Sequence, residues 1–157
     1  MSRSLRFSEK RLNLYELRAW VVMPNHVHIL ICPRVELRQI TRTVKTFTAR
    51  EANSILQRTG QPFWQDESYD HWVRSRDEME ATVRYIESNP VAAGLATAVQ
   101  GWPWSSAASS DRPEACPTLR QAGGLSHGTV QYSLEPAGWA VAPSGEESPV
   151  STGQRAG

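Results

Sequence analysis

The stretch Leu17-Arg18-Ala19-Trp20-Val21-Val22-Met23-Pro24-Asn25-His26-Val27-His28-Ile29-Leu30-Ile31 decides the fold class. It is rich in Val, Ile, Leu and Trp, and it is interrupted by Pro24-Asn25. Proline has no amide to give a strand ladder, so the run reads as a strand entered through a bulge or kink. His26 and His28 are two residues apart and therefore project from one sheet face. Val27, Ile29 and Ile31 then point to the other face, into the packed side of the protein.

Downstream, Leu37, Ile40, Val44, Phe47 and Ile55 fall on one helical stripe, which predicts an amphipathic helix from about Glu36 to Gln57. Gly60 and Pro62 stop it. Phe63 to Arg74 reads as a loop followed by a short strand. Ser75-Arg76-Asp77-Glu78 is a capping box, with two acids favourably placed at a helix N-terminus. The helix it opens is predicted to run to about Ser88, because Pro90 disfavours a helical conformation at Asn89. Strand, helix, strand, helix in this order gives an α+β fold. Its simplest form is a ferredoxin-like sandwich, an antiparallel sheet with helices on one face.

The chain has 157 residues, enough for one domain of ordinary size. No apolar run approaches the roughly 18 residues of a membrane helix. Met1 to Arg11 is polar and basic, unlike a secretory signal. Cys32 and Cys116 form neither a disulfide framework nor a metal-spaced cluster, which fits a reducing, cytoplasmic setting. Net charge is +1, unevenly spread: residues 1–107 carry 14 Lys and Arg against 11 Asp and Glu, residues 108–157 carry 3 against 5. Composition also changes near Ala107, beyond which Ser, Gly, Pro and Ala dominate without sustained period. Such a segment buries little apolar surface, so the expected organisation is a folded 1–107 and a mostly disordered 108–157.

Two imidazoles on one face can hold a divalent metal, although a bare His-x-His is equally a pair of unrelated surface histidines. Nucleotide hydrolases of the histidine-triad kind continue the alternation with a third histidine, and Leu30 stands there instead. Tyr85 and Asn89 lie four apart on the last helix. With Met79, Thr82, Val83 and Ile86 as its core stripe, both fall on the flank, roughly 60–120° from the centre by helical geometry. A boundary tyrosine and a capping asparagine would look the same. A phenol can also attack phosphorus and form a covalent intermediate, and its ordinary pKa of about 10 means it needs help at neutral pH. A metal polarising the phosphate gives such help, and the Asn89 amide oxygen suits Mg²⁺ or Mn²⁺. Arg38, Arg42 and Lys45 make a basic ridge on the long helix, suited to phosphate contacts or simply solvated. Phe63, Trp64, Tyr69 and Trp72 can stack unpaired bases or fill the core.

Taken in order, several stretches resemble one family. Val22-Met23-Pro24-Asn25-His26-Val27-His28-Ile29-Leu30 is similar to the HUH motif of single-tyrosine transposases of the insertion-sequence-200 type, and more narrowly of the REP-associated tyrosine transposases. Phe63-Trp64-Gln65, Tyr69-Asp70-His71-Trp72-Val73-Arg74, Tyr85-Ile86-Glu87-Ser88-Asn89-Pro90-Val91 and Trp102-Pro103-Trp104-Ser105-Ser106 continue the likeness across roughly residues 12–107. The resemblance implies His26, His28 and Asn89 as metal ligands and Tyr85 as the nucleophile, forming a 5′-phosphotyrosine and releasing a 3′-hydroxyl. It implies single-stranded or hairpin DNA as substrate, with Arg38, Arg42, Lys45, Trp64, Gln65 and Arg74 as candidate DNA contacts, and a monomer slightly favoured over a dimer. It further implies a strand and a helix ahead of the histidine strand. Met1 to Glu16 is too short for both, so the sheet is expected to lack part of that unit. Two functions stay open: metal-dependent strand transfer, or hairpin binding without cleavage, as in an inactive remnant.

Overall fold

The computed structural model describes residues 1–66, 69–108, 129–134 and 136. The run that reads as one kinked strand is a hairpin: β1 (Tyr15–Val22) and β2 (Val27–Pro33) pair antiparallel, with Val22 opposite Val27. Pro24 and Asn25 sit in the reversal, closed by a bond from the Met23 amide to the His26 carbonyl (2.8 Å). A proline costs nothing there, since the turn asks no ladder bond of it. The bulge lies in β1 itself, where the register shifts between Leu17 and Ala19.

Helix α1 (Ser2–Lys10) precedes the hairpin and α2 (Leu37–Ile55) follows it. Then come β3 (Tyr69–Val73), α3 (Arg76–Ala92), two short 3-10 turns at Val99–Gly101 and Ser106–Ala108, and β4 (Thr129–Leu134). The α+β reading holds: the described residues form one four-stranded antiparallel sheet, in the order β1-β2-β4-β3, with three helices.

One sequence expectation needs correction here. The helices cover both faces rather than one. Tyr15, Leu17, Trp20, Val27, Ile29 and Ile31 pack with Leu5 of α1 and with Ile40 and Val44 of α2. Ala19, Val21, Met23 and Leu30 pack on the opposite face with Val73 and with Ile86, Met79 and Val83 of α3. The alternation that sends Val27, Ile29 and Ile31 one way sends His28 and Leu30 the other, and that second face is also buried. The segment 108–157, expected to be mostly disordered, contributes β4 to the middle of the sheet; the rest of that expectation, and Trp139 and Cys116, lie outside the described residues. Ahead of β1 the described residues form α1 and no strand, and β4 takes the place between β2 and β3.

Helix α3 opens as its capping box predicts: the Ser75 hydroxyl accepts from the Glu78 amide (3.1 Å). The Glu78 carboxylate accepts in turn from the Arg74 amide and pairs with His71 of β3, and these two partners, the amide first, hold its pKa below the usual range. Replacing Ser75 by Ala is expected to lower stability by about 1 kcal/mol, read as a shift of the urea midpoint at unchanged slope. The helix does not end at Ser88; it continues through Pro90 to Ala92. Pro90 forfeits one helical bond but is fully buried. Its true stop is Gly94 at φ 69°, where the Gly94 and Leu95 amides bond back to the Val91 and Pro90 carbonyls in a Schellman closure. Asn89 is therefore an interior helix residue rather than a cap. In α2, Ile40 and Val44 are core as expected, while Ile55 is 82% exposed and Phe47 stacks on Phe7 of α1 at 5.7 Å.

Candidate active site

The β1–β2 turn delivers His26 at the mouth of the hairpin, and β2 carries His28 into the face covered by α3. Their rings meet edge-on, with centroids 4.6 Å apart. The His26 Nδ1 lies 2.8 Å from the Asn25 Oδ1. An amide oxygen can only accept, so Nδ1 carries the hydrogen, and in the neutral ring that leaves the lone pair on Nε2, the form a metal ligand needs. His28 is buried, and that burial first, with the neighbouring His26 second, lowers its pKa to about 4. It is therefore neutral at physiological pH.

Tyr85 reaches the same place from α3. Ile86 anchors that helix in the core at 0% exposure, which leaves Tyr85 on the flank, 53% exposed. Its ring stands edge-on to His28, centroids 5.6 Å apart. Sequence reasoning put Tyr85 on the flank of this helix; the sheet order then sets that flank over His28. Asn89 is half-buried one turn along. The two imidazoles are an incomplete donor set for a divalent ion, which an amide oxygen and phosphate oxygens are chemically suited to complete. Among the described residues no three His, Cys, Asp or Glu side chains gather into a metal-sized group.

The expected DNA contacts are spread over α2, the loop after it and the residue that follows β3. Arg38 and Arg42 are exposed on α2, which covers the opposite face. Lys45 is committed to the loop after α2: its Nζ donates to the Gln65 and Asp66 carbonyls at 2.7 and 3.1 Å. Burial lowers its pKa. Trp64 donates from Nε1 to the Thr48 hydroxyl (2.8 Å) and packs against the α2-side core. Gln65 and Arg74 are exposed. Trp64 and His26 do share a cavity of about 870 Å³, whose wall also includes Phe47, Phe63, Arg3 and Arg50.

A family model described as "Transposase IS200 like" matches residues 7–89, just over half the chain. The chain belongs to the IS200-like transposase family. Within the family it is similar to the REP-associated tyrosine transposase of Escherichia coli (strain K12), 31% identical over 101 residues, which are 61% of this chain and 56% of that protein. The chain thus spans about half the length of this curated relative. No solved structure matches. The matched span of this IS200-like chain contains His26, His28, Tyr85 and Asn89, but stops short of the 102–106 segment. Two parts of the site escaped sequence reasoning. The Asn25 bond to His26 had its signal in Asn25 standing beside the first histidine. The other, a contact from Ser106 to Glu87, joins residues 19 apart and leaves no local pattern.

Proposed function

We propose that this chain cleaves and rejoins single-stranded DNA at hairpin-associated sites, with Tyr85 as the nucleophile. The observation that supports it most is the approach of Tyr85, from a different element, to a neutral His28 that sits beside His26. In this reading the Tyr85 hydroxyl oxygen forms a bond to phosphorus as the bond to the 3′-oxygen breaks. The departing oxygen keeps the electron pair and takes a proton, giving a free 3′-hydroxyl and a 5′-phosphotyrosine. The phenolic proton leaves to solvent along the exposed side of the ring. Attack by a 3′-hydroxyl on the phosphotyrosine reverses the step and joins the strands.

His26, His28 and Asn89 are the residues that would hold Mg²⁺ or Mn²⁺. A bound ion would polarise a phosphate oxygen and offset the charge that develops on it. What the chain itself contributes is placement: Asn25 orients His26, and burial keeps His28 unprotonated. Strand cleavage at the Tyr85 face also leaves a route for unpaired nucleotides past His26 into the groove lined by Phe63 and Trp64.

The test mixes the protein with a labelled hairpin bearing a single-stranded flank and Mn²⁺, then denatures it. A covalent protein–DNA band is expected, and omission of the metal with added EDTA is expected to remove it. Shifted hairpins in a native gel without any covalent band under either metal would establish binding without cleavage in place of strand transfer.

A further inference from the structure

Glu87 is 7% exposed, an acid taken almost wholly out of water on a helix whose other buried residues, Thr82, Ile86 and Pro90, carry no charge. A carboxyl so placed is costly unless its oxygens are matched by donors. It is met by the Ser106 hydroxyl, which donates to Oε1 at 3.1 Å. Ser106 is itself buried, and its oxygen accepts from the Trp20 amide of β1 at 3.2 Å. β1 is the edge of the sheet, so the Trp20 amide has no strand to pair with on that side. The chain runs along that edge after α3. The Trp104 carbonyl accepts from the Val22 amide, Ser105 bridges Val21, and the Trp102 indole donates to the Val22 carbonyl. Segment 102–106 is thus a strap on β1, and Ser106 is where the strap grips α3.

The position of that grip matters because of helical geometry. Residues 85 and 87 are separated by two steps of about 100°, so they leave α3 on opposite flanks. Ile86, fully buried between them, is the axis about which α3 would roll. Any roll that drew Glu87 away from Ser106 would swing Tyr85 relative to His28 by the same angle. Packing at Ile86 alone resists such a roll weakly, because apolar contact has no direction, whereas a hydrogen bond does.

We infer that the Glu87–Ser106 bond is a positioning device that fixes the roll of α3 and so holds the Tyr85 hydroxyl at the His26–His28 pair. Glu87 and Ser106 touch neither DNA nor metal in this account, and it rests on the reading of Tyr85 as nucleophile. Placement errors of about an ångström slow reactions by as much as about a hundredfold.

The test compares Glu87→Ala, Glu87→Gln and Ser106→Ala in the full chain, with two readouts. One is the rate of covalent adduct formation at saturating hairpin DNA beside hairpin affinity. The other is the nuclear Overhauser contact between the Tyr85 ring and the His28 imidazole in protein without DNA. Glu87→Ala and Ser106→Ala are expected to slow adduct formation by roughly ten- to a hundredfold with hairpin affinity within about twofold, and to weaken the Tyr85–His28 contact. Glu87→Gln keeps an oxygen that accepts from Ser106, so its rate is expected within about threefold of the unmodified chain and its ring contact unchanged. Should Glu87→Ala fail to fold, Ser106→Ala carries the comparison, with Ser106→Thr expected to restore both readouts. Full rate and full ring contact in Ser106→Ala would overturn the inference. So would equal loss in Glu87→Gln and Glu87→Ala with the ring contact intact, since the charge rather than the bond would then matter. If the unmodified chain forms no adduct, the strand-transfer reading fails, and the ring contact still decides the positioning role.

Discussion

A Tyr85→Phe protein is expected to fold and bind hairpin DNA as the unmodified chain does, and to form no covalent adduct. Phenylalanine keeps the ring that stands edge-on to His28, and loses only an oxygen on a half-exposed side chain. Substitutions of that kind usually change stability by no more than about 0.5 kcal/mol. The effect on chemistry is of another order. Without its oxygen, residue 85 has nothing to bond to phosphorus, and loss of a nucleophile typically costs about four to six orders of magnitude. The measurement is a denaturing gel of labelled hairpin with Mn²⁺, beside a native gel of the same samples. An adduct that survives in Tyr85→Phe would remove Tyr85 from the role. The rival to examine next would be Tyr69, in β3, whose position four residues on holds Val73 in place of an amide.

Much of this site is readable in the chain because its parts obey local rules. The period of two places His26 and His28 together, and the capping box with the Met79–Ile86 stripe fixes which flank of α3 carries Tyr85. Ring distances of 4.6 and 5.6 Å follow from these local facts plus one non-local one, the face on which α3 packs. That face had its own signal. Ala19 to Met23 is continuously apolar, as a strand buried on both sides must be, and a helix on each face is the consequence. Pro90 misleads for a different reason: its local penalty is real, but burial and the Gly94 closure outweigh it. Lys45 reads as a phosphate ligand because charge on a helix surface looks the same whether it faces solvent or a carbonyl pair.

The strand least visible in the sequence is also the one on which the sheet most depends. Among the described residues β3 pairs with β4 and with no other strand, and β2 has β4 on its inner side. Thr129 to Leu134 is six residues long, set in Ser- and Gly-rich surroundings, and its alternation is too brief to stand out. Its partners decide its conformation: Gln131 lies opposite Leu30 on one side and His71 on the other. A Gln131→Pro substitution is therefore expected to break a ladder bond whichever neighbour that amide serves, because a central strand has no solvent edge to turn it toward. Leaving the facing carbonyl without its donor costs about 1–3 kcal/mol, a large part of the roughly 5–15 kcal/mol that holds an ordinary domain together. Ser133 lies opposite His28, so distortion of β4 reaches the backbone that carries the second histidine, and adduct formation should fall together with stability. Urea unfolding gives the first quantity, and amide exchange at residues 69–73 localises it, with β3 protection expected to fall first and most. Gln131→Ala, which keeps the amide, is expected to stay within about 1 kcal/mol of the unmodified chain. Equal stability of the proline and alanine variants would mean that β4 is not paired in the sheet, and that β3 is held by something other than its ladder.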